Sequence, residues 1–187
     1  MSGVTMRDRI MEAARLTVQD LGYSGLSFRE LAKTVGIKSA SIHYYFPTKG
    51  ALVEAIVRRY IDRYERYLDE VLNDATDRTT VMRRYTDVFR DTLLNGNRMC
   101  LAGMLAAERN DLPAEVRTEV VRWGEMNERW IARVLAPGEG DAPEEIRRRA
   151  KAIFAAVSGA QMIAHGRDEV AHYTDVIAAY RESGLIP

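Results

Sequence analysis

The chain has a single cysteine, Cys100, among 187 residues. No intrachain disulfide can staple it, so a disulfide-framed secreted domain is excluded and a reducing, cytoplasmic setting is expected. No run approaches the ~18 consecutive apolar residues of a membrane-crossing helix, so no membrane partner is expected. The N-terminal stretch with Arg7, Asp8, Arg9 and Glu12 mixes both charges on an amphipathic pattern, unlike a signal peptide. There are only 5 prolines, and most fall between periodic segments. The three histidines, His43, His165 and His172, are dispersed. Gly166 stands between the last two, and their spacing is not a common zinc spacing. A glycine-rich phosphate loop, a Gly-x-Ser-x-Gly turn and a paired catalytic carboxylate motif are all missing. Glu144 and Glu145 open a helix, where they complement its dipole. The expectation is therefore no enzyme, no bound metal and no cofactor.

What is present is helical periodicity. The composition, 47% hydrophobic and 29% charged, is that of a globular chain. Apolar residues recur at helical spacing almost everywhere, and no segment alternates as a strand does. The first helix is predicted over about Thr5–Leu21, with Ile10, Ala13, Ala14, Thr17, Val18 and Leu21 as its stripe and Gly22 as its stop. Ser27 is placed to cap the second helix, with Glu30 completing a capping box, and that helix runs to about Val35 before Gly36 breaks it. A short third helix, about Ser39–Tyr45, precedes Pro47. Thr48 then caps a long fourth helix from Lys49 to about Asn73, with Leu52, Ile56, Tyr60, Tyr67 and Val71 inward. Further helices are expected at about 78–95, 98–109, 113–136, 143–165 and 168–183. Asn95-Gly96-Asn97, Pro113, Pro137-Gly138, Gly140 and Gly166 are the breakers between them. The fold class is all-α, with about nine helices. The clearest seam lies near Pro47, dividing the chain into residues 1–48 and 49–187.

Charge is unevenly spread. The net charge is zero, yet residues 1–50 hold seven Lys or Arg against four acids, leaving the remainder acidic. A basic N-terminal module on a mildly acidic body suits a protein that meets phosphate at one end. Within it, residues 27–52 read SFRELAKTVGIKSASIHYYFPTKGAL. Two short helices meet at a tight turn, and Leu31, Ala32, Val35, Ile37, Ile42 and Phe46 supply the buried contacts that set their angle. The outer face of the second carries Lys38, Ser39, Ser41, His43, Tyr44 and Tyr45, donors and flat rings suited to a DNA major groove. Arg29, at the start of the preceding helix, has the fork that guanine O6 and N7 accept. Lys49 and the first amides of the fourth helix suit phosphate.

The run LAKTVGIKSASIHYYFPTKGAL resembles the signature of TetR/AcrR-family transcriptional regulators, and the resemblance covers about residues 5–60. It implies a three-helix DNA-binding domain with a helix-turn-helix, followed by a helical ligand-binding and dimerisation domain. It also implies a homodimeric repressor that binds a palindromic operator and is released by a small-molecule inducer. Carried onto this chain, Ser27, Tyr44, Tyr45, Thr48 and Lys49 would contact phosphate. Arg29, Lys38, Ser39, Ala40 and His43 would lie at or near base edges, although His43 replaces a commoner tyrosine. Inducer-free DNA binding and a helical scaffold without DNA binding are the other readings.

For the body, Ile146, Ala150, Ile153, Val157, Ala160 and Ala164 form one seam, flanked by Ala152, Ala155, Ala156, Ser158 and Gly159. Val170, Tyr173, Ile177 and Tyr180 add the last helix. Two such helices from each chain would make a four-helix dimer interface, or the seam is core within one chain. Candidate lining for a largely apolar ligand is Tyr85, Phe89, Met99, Cys100, Met104, Trp123, Met126, Trp130, Phe154 and Met162, with Asn127, Gln161 and His165 to orient it. The segment MCLAGMLAAERNDLP is similar to the start of the sixth helix in a branch of the family, with Cys-Leu and then Glu108 seven residues later. A thiol sensor or a small buried hydrophobe are both open readings of Cys100.

Overall fold

The computed structural model describes residues 4–74, 77–136, 138 and 140–187. Among these residues it holds nine helices and no strand. They are α1 (Met6–Gly25), α2 (Phe28–Val35), α3 (Ser39–Tyr45), α4 (Lys49–Asp74), α5 (Arg78–Leu94), α6 (Leu101–Ala107), α7 (Ala114–Leu135), α8 (Glu144–Arg167) and α9 (Val170–Glu182). No helix among them is long and apolar enough to cross a membrane. The expected breaker Pro137 lies outside the described residues.

The chain packs as two units. The first comprises Met1–Asp62 with Leu101–Val121, and the second Arg63–Cys100 with Arg122–Pro187. The boundaries between the two units fall within α4, between α5 and α6, and within α7.

In the first unit, Thr5 and Asp8 form a reciprocal capping box at the start of α1. These hydrogen bonds hold the Asp8 carboxyl below its ordinary pKa. The box expected at Ser27 does not form: Ser27 makes no side-chain cap, and Glu30 turns to Lys33 at 2.9 Å instead. An ammonium three residues on competes successfully for that carboxylate. Helical geometry is interrupted at Gly22 (φ 74°, ψ −179°), as expected, but a further turn carries α1 to Gly25. Ile10, Ala14 and Val18 are buried, whereas Leu21, 64% exposed, leaves the stripe just before that interruption.

Leu31, Ala32, Val35, Ile42 and Phe46 are buried together with Ile10, Leu52 and Val53. Burying each of these aliphatic side chains contributes about 1.5–3 kcal/mol. The Arg9 guanidinium donates to the Val35 carbonyl at 3.0 Å, satisfying an orphan acceptor at the C-terminus of α2. Gly36 follows in the left-handed region (φ 78°, ψ 36°), and its amide closes onto the Ala32 and Lys33 carbonyls. Lower down, Arg58 pairs with the buried Glu119 at 2.6 Å.

Along α4 the buried residues are Leu52, Val53, Ile56, Val57, Ile61, Tyr64, Leu68 and Val71. Tyr60 is half-buried, and Tyr67 lies at the exposed edge. A 3.6-residue period serves two adjacent columns, and Tyr64 and Leu68 occupy the inner one here.

The second unit is built on aromatics. The Tyr85 ring stacks on Trp130 with centroids 5.3 Å apart, and Tyr64 lies 4.8 Å from Trp123. The Tyr85 hydroxyl donates to Asn127 Oδ1 at 2.9 Å, and Asn127 Nδ2 donates to the Trp123 carbonyl. Burial raises the Tyr85 phenol well above its ordinary pKa, so it stays a neutral donor. Tyr173 donates to the Thr86 carbonyl at 2.8 Å, tying α9 to α5.

The α5–α6 connection is longer than expected. Gly96 and Asn97 both have positive φ, and helix begins only at Leu101. Gly166 does not break α8, which continues to Arg167; Asp168, at φ 53°, ends it. An added Cβ at Gly166 meets nothing within 4 Å, so the sequence signal marked flexibility without a turn to use it.

Two outcomes are expected. Space is free around Gly36, so Gly36→Ala should cost only the left-handed penalty, about 1–2 kcal/mol, and Gly36→Asn less, by urea denaturation. Tyr85→Phe should cost about 1–3 kcal/mol, because Asn127 Oδ1 is left buried and unpaired; an unchanged denaturation midpoint would contradict the pairing.

Candidate nucleic-acid interface

The site is built by the Gly36 turn. α2 and α3 bury Leu31, Val35 and Ile42 on their inner faces, so their remaining side chains face outward. The Arg29 side chain is 82% exposed, with Glu30 3.9 Å from its Nε. Lys38, Ala40 and His43 are exposed, while Ser39, Ser41 and Tyr45 are half-buried. Tyr44 is 84% exposed and meets Tyr45 edge-on, with centroids 5.2 Å apart. A projecting phenol of this kind has no core to serve.

His43 is held from both sides. Its ring meets Phe28 edge-on at 4.9 Å, and Nδ1 lies 3.4 Å from the Pro47 carbonyl. A carbonyl only accepts, so Nδ1 carries the hydrogen and Nε2 is left for another partner. Ser27 and Thr48 are exposed. The Thr48 hydroxyl accepts from the Ala51 amide at 3.0 Å, capping α4, and keeps its own hydrogen to donate.

Lys49 differs from a freely solvated lysine. Its ammonium lies 4.3 Å from the centre of the Tyr23 ring and donates to the Ser24 carbonyl at 3.4 Å. Burial lowers its pKa, with the Glu108 charge opposing the shift. Sequence reasoning did not foresee these partners, which come from the end of α1 and the turn after α6. The motif around Cys100 had singled out Glu108 without giving it a role.

The ligand candidates fall into three groups. In the second unit Tyr85, Phe89, Trp123, Met126, Asn127 and Trp130 are buried, and their rings and polar groups contact one another. Met99, Cys100 and Gln161 are also buried there. Gln161 accepts from the Cys100 amide at 3.2 Å and donates to the Phe89 carbonyl at 2.9 Å. His165 is half-buried, with Nδ1 2.7 Å from the Asn97 carbonyl, and Phe154 is half-buried near Gly124. Met104, by contrast, packs in the first unit, and Met162, 55% exposed, faces outward from α8. Met126 and Trp130 border a cleft of 260 Å³ completed by Glu65, Leu68, Asp69, Arg129 and Arg133.

The seam Ala150, Ile153, Val157, Ala160 and Ala164 is buried within the single chain, where α8 packs on α5 and α9. Those positions are intrachain core. Ala152, Ala155, Met162, Ile163 and Gly166 are exposed instead.

Residues 10–56 match the sequence model described as bacterial regulatory proteins, tetR family. The chain is 34% identical over 77 residues to the probable HTH-type transcriptional regulator YttP of Bacillus subtilis, a match covering 41% of this chain and 37% of that protein. It is 33% identical over 67 residues to IcaR of Staphylococcus aureus, named a negative transcriptional regulator of the biofilm operon icaADBC. That match covers 36% of this chain and 34% of IcaR. The chain thus spans little more than a third of the length of these curated relatives. In fold it is similar, over 100% of both chains, to a TetR transcriptional regulator from Legionella pneumophila, with TM-score 0.90 and 26% identity. These relatives bear the names of regulators, not enzymes. Residues 10–56 thus carry the helix-turn-helix segment of bacterial regulatory proteins of the tetR family, and the fold along the whole chain is similar to that of a TetR transcriptional regulator.

Proposed function

We propose that the protein is a cytoplasmic, ligand-responsive repressor that binds a palindromic operator as a homodimer and leaves it when a largely apolar small molecule binds. The observation that carries the DNA reading is the outward face of α2 and α3. Arg29, Lys38, Ser39, Ala40, His43 and Tyr44 share it, and the left-handed turn at Gly36 sets its shape. Arg29 and the start of α3 read base edges, while Ser27, Tyr44, Tyr45, Thr48 and Lys49 take phosphate. Residues 1–48 are the DNA-reading part and residues 49–187 the part for ligand and dimer.

Dimerisation through α8 and α9 uses the exposed face of α8. Ala152, Ala155, Met162, Ile163 and Gly166 lie there at helical spacing, and small residues let helices approach closely. A two-fold axis through that face matches an operator with two half-sites. The ligand enters the second unit by the cleft beside Trp130 and displaces the internal pairing of Tyr85 with Asn127. Cys100, 4% exposed, serves as packing in this reading.

Fluorescence-anisotropy titration against DNA fragments upstream of the protein's own gene, at two salt concentrations, tests the proposal. Selective binding that saturates at one or two dimers per site supports it. Weak, equal binding to all fragments, lost at moderate salt, refutes it. Arg29→Ala should flatten discrimination between operator variants by about 1–3 kcal/mol; a uniform loss on all sequences would make Arg29 a phosphate contact. Lys49→Ala should weaken binding to every sequence and lower the salt slope by about one phosphate equivalent.

A further inference from the structure

Glu108 lies outside the matched DNA-binding segment, in the turn that follows α6. Its carboxylate nevertheless reaches the end of α1. One oxygen accepts from the Tyr23 amide, and the other accepts from the Ser24 amide at 3.3 Å. The backbone is shaped for this approach. Gly22 is buried at φ 74°, and a Cβ there would stand 2.7 Å from the Glu108 carboxyl carbon. Successive amides beside a left-handed glycine form an anion-binding concavity, and Glu108 fills it from within the chain.

The opposite side of the same turn holds Lys49. The Tyr23 ring lies beneath its ammonium, and the Ser24 carbonyl accepts from it. Tyr23 and Ser24 are therefore gripped twice, through their amides by a carboxylate and through a ring and a carbonyl by a cation. An ammonium has three donors. One goes to Ser24 and the Tyr23 ring covers a second side, which leaves one.

We propose that Glu108 is a positioning residue for DNA binding: by fixing Tyr23 and Ser24, it holds the Lys49 ammonium at the mouth of α4 with its remaining donor directed to a DNA phosphate. This rests on the DNA-binding reading above and adds to it a requirement from α6. The carboxylate does not meet DNA. It occupies two amides that would otherwise draw the phosphate off register, and its charge opposes the desolvation that lowers the pKa of the nearby ammonium.

The test is a double-mutant cycle on the full chain, using operator DNA enriched by the wild type from a random duplex library. Wild type, Glu108→Gln, Lys49→Ala and the double variant are titrated across a salt series. Glu108→Gln should lower affinity roughly three- to tenfold and reduce the salt slope by about one phosphate equivalent. Adding Lys49→Ala to Glu108→Gln should produce no further loss. Glu108→Asp, which keeps the charge but shortens the reach, should recover part of the affinity. A general structural role predicts something else: a lower Tm, an unchanged salt slope and losses that multiply in the double variant. That result overturns the proposal. If Glu108→Gln does not fold, Glu108→Ala, which removes the carboxylate and leaves the Gly22 backbone untouched, replaces it in the cycle with the same two expectations. A wild type that enriches no sequence defeats the DNA-binding reading itself and this proposal with it. A wild type that enriches a motif while the cycle is additive defeats only the role of Glu108.

Discussion

The outward-facing chemistry of this protein depends on one backbone constraint, the left-handed residue between α2 and α3. Gly36 reverses the chain while its amide still closes the end of α2 onto Ala32 and Lys33. Only then can Leu31, Val35 and Ile42 point into a common core and leave Arg29, His43 and Tyr44 in solvent. A seven-residue helix such as α3 is far too short to persist alone. Its shape is supplied by the buried side chains and by the turn. The exposed face of α2 and α3 is therefore a tertiary product, and its accuracy is limited by how well that small core is packed.

Polar groups at the helix ends are answered from a distance in sequence. Arg9 reaches the last carbonyl of α2, and Glu108 reaches the amides at the end of α1. Each satisfies orphan backbone groups that water would otherwise have to reach. Both remove slack from the segment that carries the recognition face. Rigid placement matters more for DNA reading than for stability, because a bidentate contact to a base edge tolerates little displacement.

The sequence made most of the helices legible, since a 3.6-residue apolar period and strong breakers act locally. α3 matches its expected bounds, and α2, α4 and α5 differ by a residue at most. What was not legible is competition. Nothing local says that Glu30 prefers Lys33 to the cap at Ser27, or that Tyr64 rather than Tyr67 takes the inner column of α4. The candidate interface followed the same division. The identities of its exposed residues could be read from the turn and the period. The partners of Lys49 could not, because Tyr23 and Glu108 come from two other elements. For the body, periodicity grouped Ala150, Ile153 and Val157 on one face of α8 but could not say whether that face meets the same chain or a second copy. Packing on α5 and α9 makes it the former.

That same outcome sharpens the proposed coupling between ligand and operator. Several polar groups of the aromatic cluster already satisfy one another: Tyr85 with Asn127, Asn127 with the Trp123 carbonyl, and Gln161 with both Cys100 and Phe89. On the proposed function, a ligand entering there would have to replace those bonds, so it would need polar groups of its own placed to match. Its affinity would come chiefly from the rings of Tyr85, Trp123 and Trp130. Trp123, Asn127 and Trp130 all stand on α7, and Leu68, whose carbonyl accepts from Trp130 Nε1, stands on α4. α4 and α7 each contribute residues to both units. A tenfold release from DNA requires only about 1.4 kcal/mol of preference between two such arrangements. That is comparable to the net worth of a single hydrogen bond of the kind the ligand must exchange.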